Sequence, residues 1–318
     1  MSFRPPGWGQ HCRAIGYLSH PDPEPVIIRV ILKRGAPLGT TDLPRNYRSY
    51  FIVYEVRDPN RALVSIGLPD RLKEALSIVT ERRTERAPST GRAVPNTAGT
   101  LGGVLGGVDP RKSYLLTCAQ VLGPPGTTVY HPGPYEGRHS EPIASVKHWK
   151  VPLVRNADDP CSEEATPDAL RLDLAVAELS VGSDVLAQMG FVTTAKAVGA
   201  IEAIRKHDRV SFTGKTRGRI NAKIGALTLW DEVEFADGVR CFGRIFEIKS
   251  PTRQYVREDL AQPGDSGSWL VFEHDDLVTW YGMVMACDGG QAYACFAEYI
   301  LDECNGSGAF SGGLRFFD

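Results

Sequence analysis

From Gly99 onward, the sequence consists of short apolar segments separated by closely spaced turn residues. These segments are typical of β-strands because they are rich in β-branched and aromatic residues; they are 101–108, 113–117, 127–130, 172–179, 209–213, 245–248, 268–272 and 280–285. The 33 glycines and 22 prolines supply the turns that join them. Helical periodicity is confined to 185–189, 198–205 and 297–303. The pattern predicts a mainly β domain, either a sandwich or a pair of barrels.

The first 86 residues have a different pattern. Two β-branched runs, 25–33 and 50–56, predict strands, and apolar residues near helical spacing predict a helix that begins at Pro69 and continues to Arg86. Residues 87–98 have the composition of a linker. We therefore predict a small α/β region at 1–86, a linker at 87–98 and a mainly β domain at 99–318.

Composition excludes several classes of function. The net charge of −2 provides no basic footprint, so nucleic acid is not a favoured partner. The sequence has no run of eighteen apolar residues, so no membrane helix is expected. The first residues lack the apolar segment of a signal peptide, so none is expected. No phosphate loop, dinucleotide fingerprint or metal-ligand spacing is present, so neither a cofactor nor a metal is expected.

The seven cysteines are scattered along the chain and form no Cys-x-x-Cys pair; they are residues 12, 118, 161, 241, 287, 295 and 304. This spacing weakens a zinc or redox interpretation. We predict reduced, mostly buried thiols in an intracellular, cytoplasmic protein.

Three short motifs occur in a recognisable order. Leu-Thr-Cys-Ala-Gln ends at Gln120, Leu-Asp-Leu-Ala contains Asp173, and Gly-Asp-Ser-Gly-Ser contains Ser266. From Gly99 to Ile300 the chain resembles the trypsin-like (chymotrypsin-fold) serine peptidases, whose base, acid and nucleophile lie in such segments at similar spacing. The resemblance implies a double β-barrel.

The resemblance also implies a role for each residue of the last two motifs. Ser266 would be the nucleophile, and Asp173 would orient the general base. The backbone N–H groups of Gly264 and Ser266 would form the oxyanion hole. Asp265 would be buried and would hold its loop through an ion pair. Its usual partner is a newly cut N-terminus, for which no cleavage site is visible, so we expect either a non-zymogen arrangement or a loop that a partner must order.

Gln120 departs from the family pattern, because the family carries histidine there. A carboxamide can hydrogen-bond both Asp173 and Ser266, but it has no titratable proton near neutral pH. The chain is therefore expected to be impaired or inactive. Of the other histidines, His131, His139 and His148 are predicted to be surface residues.

Five residues are candidates for the substrate pocket. By the resemblance, Leu260 would lie at its base, the strand with Met285, Ala286 and Cys287 would form one wall, and Ala292 would lie near the far side. This apolar lining would favour large hydrophobic side chains at the cleavage site. Plain core packing explains the same residues equally well.

Two main functional hypotheses remain, with one fold. The first is a serine endopeptidase of regulated intracellular proteolysis whose base is replaced, naturally or by engineering. The second is a natural pseudoprotease that binds peptides or proteins. A third is an active enzyme with an unexpected base. Protein or peptide substrates are the expected partners, and a regulatory protein is a further expected partner, docked by residues 1–86.

Overall fold

The computed structural model describes residues 12–18, 27–33, 46–47, 50–57, 60–62, 77–80, 99–131, 141–154, 161, 172–180, 195–205, 208–235, 237–251, 260–274, 277–288, 290–310 and 312–317. Within these residues, no helix has the length and apolar character needed to cross a membrane.

Strands make up most of the described chain, which confirms the prediction of a mainly β protein. In chain order they are β1 (Cys12–Leu18), β2 (Ile27–Lys33), β3 (Asn46–Tyr47), β4 (Tyr50–Arg57), β5 (Asn60–Ala62), β6 (Ser77–Thr80), β7 (Gly99–Thr100), β8 (Gly103–Gly107), β9 (Ser113–Thr117), β10 (Thr128–His131), β11 (Glu141–Lys150), β12 (Leu174–Leu179), β13 (Ala197–Val198), β14 (Arg209–Gly214), β15 (Gly218–Ile224), β16 (Leu227–Phe235), β17 (Gly238–Lys249), β18 (Trp269–His274), β19 (Leu277–Asp288), β20 (Gln291–Phe296) and β21 (Leu314–Arg315).

The predicted elements of the β domain largely agree with these bounds. All eight predicted strands have a counterpart, and the helix predicted at 297–303 is α1 (Ala297–Gly306). The helix predicted at 198–205 is reduced to a 3-10 turn at Ile201–Ala203. The helix predicted at 185–189 lies outside the described residues.

Six antiparallel strands in the C-terminal half close into a ring, here called the second barrel. β14 pairs with β15, β15 with β17, β17 with β20, β20 with β19, β19 with β18, and β18 again with β14. Each of these strands is therefore paired on both sides. The interior is filled by an apolar cluster that includes Phe212, Phe246 and Phe296.

A second sheet, here called the first barrel, is closed by the chain itself rather than by a final hydrogen-bonded pair. β8, β9, β12, β11, β10 and β6 are hydrogen-bonded in that order, and β6 also pairs with β7, which leads directly into β8. Its apolar cluster continues into the second barrel, where Trp269 and Trp280 stack with ring centroids 4.0 Å apart. The two barrels thus share a continuous core.

The N-terminal region is attached to both barrels by strand pairing. β1 pairs with β16, β5 pairs with β16 and β19, and β6 belongs to the first barrel. β2 and β4 confirm the strands predicted at 25–33 and 50–56. The division into three regions stays a prediction, although the hydrogen bonds of β6 extend across the predicted linker.

The helix predicted from Pro69 to Arg86 is wrong for the part that the structure describes. Residues 77–80 form strand β6, and the rest of the predicted helix lies outside the described residues. The four residues of β6 include Ile78, Val79 and Thr80, whose β-branched side chains favour a strand once partners are available. β7 and β10 provide those partners.

The prediction that the thiols are reduced is wrong for one pair. Cys161 and Cys241 form a disulfide with their Cα atoms 5.4 Å apart. Four further cysteines are buried, as predicted, and form no disulfide; they are Cys118, Cys287, Cys295 and Cys304. Eighty positions separate Cys161 from Cys241, and such a pairing cannot be read from local spacing.

Candidate active site

Gln120 and Asp173 are brought together by the pairing of β9 with β12. Thr117, the last residue of β9, is the cross-strand partner of Ala175 near the start of β12. The residues just beyond β9 therefore lie beside the residue that precedes β12. Gln120 Nε2 is 2.8 Å from Asp173 Oδ2, and the backbone N–H of Gln120 donates to Asp173 Oδ1 at 3.2 Å.

Ser266 comes from the second barrel, in the turn that leads into β18. Thr100 of the first barrel holds this turn: its backbone N–H donates to the Ser266 carbonyl at 2.9 Å, and its hydroxyl donates to the Gly264 carbonyl at 2.7 Å. Ser266 Oγ then lies 3.1 Å from Gln120 Nε2. The site is thus built between the two closed barrels, which is the double-barrel arrangement that the resemblance implied.

The partners of the Gln120 side chain determine the orientation of its amide. Nε2 lies 2.8 Å from both Asp173 Oδ2 and the Met285 carbonyl, two oxygens that only accept hydrogen bonds. The two N–H bonds of the amide therefore point toward these atoms. The contact with Ser266 Oγ is the longest of the three, and an amide nitrogen offers no lone pair that could take the serine proton.

Asp173 is completely buried beside this amide. Burial raises the pKa of Asp173 to about 6, because the charged form loses its hydration; hydrogen bonds from the Gln120 backbone and the Cys118 thiol oppose this rise. The amide of Gln120 is neutral and provides no positive charge for the carboxylate. An imidazolium in the same place would provide one.

Asp265 is fully buried, as predicted, and the structure gives its carboxylate backbone partners from two loops. Its carboxylate accepts hydrogen bonds from the backbone N–H groups of Thr216 (2.7 Å), Arg217 (3.1 Å) and Gln262 (2.9 Å). Two of these donors lie in the turn between β14 and β15. Burial raises the pKa of Asp265, and these donors and the Arg217 charge oppose the rise.

The turn that carries Ser266 has the backbone geometry that its glycines allow. Gly264 and Gly267 have φ values of +104° and +93°, where side-chain-bearing residues are strained. The N–H of Asp265 donates to the Gln262 carbonyl and that of Gly267 to the Val284 carbonyl. The oxyanion-hole role of the Gly264 and Ser266 amides stays a prediction.

The five predicted pocket residues all lie in the core. Leu260, Cys287 and Ala292 belong to the cluster inside the second barrel, and Met285 and Ala286 belong to the shared cluster. A substrate-binding role for their side chains stays a prediction. Met285 does reach the site, but through its backbone carbonyl, which also lies 3.4 Å from Ser266 Oγ.

Sequence analysis missed three contributors to the site. The Met285 carbonyl is a backbone group, so the residue type gives no signal. Thr100 bonds the backbone of a turn that lies 164 positions later in the sequence, and no local motif reveals that contact. Trp149 is 38% exposed, and its indole N–H donates to the carbonyl of Ala119 at 3.0 Å, directly before Gln120. Its place follows from the pairing of β11 with β12, which no local motif reveals.

The three histidines that were predicted to be surface residues do not share one environment. His131 is 5% exposed in the first barrel, so the prediction of a surface residue is wrong for it. His148 is partly buried, with Nε2 3.1 Å from Glu303 Oε1 of α1. His139 lies outside the described residues.

No family model matches this chain, and no curated protein matches its sequence. Solved structures do match it. The Nocardiopsis protease NAPase is 14% identical over 70% of this chain and 93% of its own, with a TM-score of 0.42. Thermobifida fusca protease A is 13% identical over 69% and 92%, with a TM-score of 0.39. The murine norovirus NS6 protease is 11% identical over 72% and 93%, with a TM-score of 0.33. These values do not assign the chain to a family.

Proposed function

We propose that this chain is a trypsin-like serine endopeptidase in which Gln120 stands at the position of the general base, so that its turnover is impaired. One observation carries the proposal: the Gln120 amide nitrogen lies within hydrogen-bond distance of both Asp173 Oδ2 and Ser266 Oγ. An imidazole bridges acid and nucleophile in this way in a serine–histidine–aspartate triad. The substrate is a protein or peptide.

The impairment follows from the proton balance at Ser266. Attack on a carbonyl carbon by the serine oxygen requires that its proton move to a base in the same step. The amide nitrogen of Gln120 does not accept that proton, and the Met285 carbonyl is an acceptor of hydrogen bonds rather than a base. Loss of a triad histidine lowers turnover by roughly 10⁶ in a convergent enzyme. What remains comes from binding and from the oxyanion hole.

The test compares the native chain with Gln120→His. We expect single-turnover cleavage of peptides with varied hydrophobic residues at the cleavage site to rise by several orders of magnitude, up to roughly 10⁶. Labelling of Ser266 by a fluorophosphonate should rise in parallel, because the new imidazole accepts the serine proton while Asp173 orients it. The control is the double variant Gln120→His, Ser266→Ala, which should neither cleave nor label.

Two outcomes would change this assignment. Cleavage by the native chain as fast as by Gln120→His would show that another group is the base. A second candidate function, a peptide-binding pseudoprotease, is favoured by the burial of Ser266, which has no exposed surface. Peptide binding without cleavage by either variant would support that function instead.

Two further parts of the functional hypothesis, the regulatory partner and the cellular compartment, concern regions outside the candidate active site. Docking of a regulatory protein by residues 1–86 is part of the proposal; its test is a truncation that ends before Ser77, because loss of β6 would open the first barrel. A role in intracellular proteolysis stays a prediction. The Cys161–Cys241 disulfide favours an oxidising compartment, because cytosolic disulfides are rarely stable.

A further inference from the structure

Three basic residues stand side by side across three neighbouring strands of the second barrel. Arg209 on β14 is the cross-strand partner of Lys223 on β15, and Lys223 is the partner of Lys249 on β17. Neighbouring strands lie roughly 4.8 Å apart, so the three positions span roughly 10 Å. We call these three residues the cationic row.

The cationic row lies on the outer face of the barrel. Successive residues of a strand point to opposite faces, and the neighbours Val210, Ala222 and Ile248 are buried in the apolar interior. Arg209 is exposed, Lys223 is partly exposed, and the Lys249 side chain is 36% exposed. Their charged groups are therefore accessible from solvent.

The charge of this row is only partly balanced. Lys249 Nζ lies 3.1 Å from Glu247 Oε2. Neither Arg209 nor Lys223 forms an ion pair with a residue in the part of the chain that the structure describes, and the nearby Glu273 pairs instead with Arg219. Like charges directly opposite each other destabilise a sheet. A bound anion would relieve that repulsion.

We propose that the cationic row binds an acidic segment of another polypeptide in extended conformation. Alternate side chains of an extended chain lie roughly 6.7 Å apart, so two carboxylates fit along the roughly 10 Å of the row. A peptide fits better than a nucleic acid, because the whole chain carries a net charge of −2, whereas binding of nucleic acid relies on contacts to many phosphates.

This surface is distinct from the candidate active site. The turn after β14 holds the nucleophile loop, whereas Arg209 stands at the other end of this six-residue strand, roughly 16 Å away. Binding at the row therefore does not depend on Ser266, and failure of the proposed peptidase activity would leave this proposal intact.

The test is the binding of a fluorescent ten-residue peptide of alternating serine and glutamate, measured by anisotropy at low salt. We expect it to bind roughly tenfold or more tightly than the matched serine–glutamine peptide, and to weaken at high salt. Lys223→Glu places a carboxylate between Arg209 and Lys249. That variant should lose the preference for glutamate while its unfolding midpoint stays equal or rises, which a folding defect would not produce.

The matched control is Lys112→Glu, which reverses a charge near Glu178 on the first barrel and should leave peptide binding unchanged. Equal affinity for the two peptides would overturn the proposal, as would an unchanged preference in Lys223→Glu. Tighter binding of a ten-nucleotide single-stranded RNA than of the acidic peptide would also overturn it.

Discussion

At the scale of single residues, the site is organised around one nitrogen atom with three oxygen neighbours. Gln120 Nε2 donates to the buried carboxylate of Asp173 and to the carbonyl of Met285, and it lies 3.1 Å from Ser266 Oγ. A glutamine can thus preserve the packing and hydrogen bonding of a triad. It does not supply the proton transfer that the triad performs, because its amide nitrogen donates hydrogen bonds and does not accept a proton.

The buried Asp173 makes the free energy of unfolding depend on pH. Its pKa is about 6 in the folded protein and 3.8 for an ordinary aspartate, so between these values the folded state holds a proton that the unfolded chain has released. Stability therefore falls as pH rises through this window and is constant above it for this group. At about 1.4 kcal/mol per pKa unit, the loss is about 3 kcal/mol.

Urea unfolding of the native chain and of Asp173→Asn between about pH 3 and pH 8 measures this effect. The difference between their free energies of unfolding at each pH is the contribution of the Asp173 carboxyl group. The partly exposed Asp109 provides the control: hydrogen bonds from Arg111 lower its pKa, so Asp109→Asn should give a small difference of the opposite sign. Parallel curves for the native chain and Asp173→Asn would contradict the burial argument.

At the scale of elements, the turn that carries Ser266 depends on Gly267 for both backbone conformation and space. A Cβ at this position would overlap Thr117 Oγ1 and the Thr100 carbonyl, and φ is +93°. We expect Gly267→Ala to lower the free energy of unfolding by more than about 3 kcal/mol, because strain and overlap add. Chemical denaturation measures the loss.

Gly218 is the matched control for this prediction. It also has a positive φ, +69°, but a Cβ there would meet only open space. Gly218→Ala should therefore cost only the backbone strain, about 1 kcal/mol. Equal losses for the two variants would show that strain rather than overlap governs the turn.

Strand β6 shows why one element was predicted incorrectly. The apolar residues from Leu72 to Val79 fit a helical period, and the charged residues around them fit an amphipathic helix. In the structure, residues 77–80 form hydrogen bonds with β7 and β10 instead. Those partners come from later parts of the chain, and tertiary pairing overrides a local pattern of this strength.

At the scale of the whole molecule, the disulfide joins the region before β12 to the hairpin of β16 and β17. Cys161 and Cys241 close a loop with a separation of 80 residues, so removing the bond should lower the free energy of unfolding by about 4 kcal/mol on a chain-entropy estimate. Denaturation with and without reductant measures this loss.

Serine variants provide the control for that measurement. Cys161→Ser, Cys241→Ser and the double variant should all lose the same amount of stability, and the double variant should no longer respond to reductant. A native chain that is equally stable with and without reductant would contradict a stabilising disulfide.

The sequence by itself determined the β character of the chain, the presence of eight of its strands after Gly99, and the candidate nucleophile and acid. These features are recorded in residues next to one another: alternating apolar segments, turn residues, and a glycine-rich loop around Ser266. Gln120 was recognisable for the same reason, by its place at the end of an apolar strand.

Only the tertiary structure decided how distant segments meet. It placed the predicted pocket residues in the core, anchored Asp265 on the amides of Thr216 and Arg217, and brought the Met285 carbonyl to Gln120. Burial and pairing depend on strands that lie far apart in sequence, and backbone donors and acceptors have no residue type. The local sequence pattern therefore does not reveal which residues are buried or which backbone groups pair, whereas the packing of the two barrels determines both.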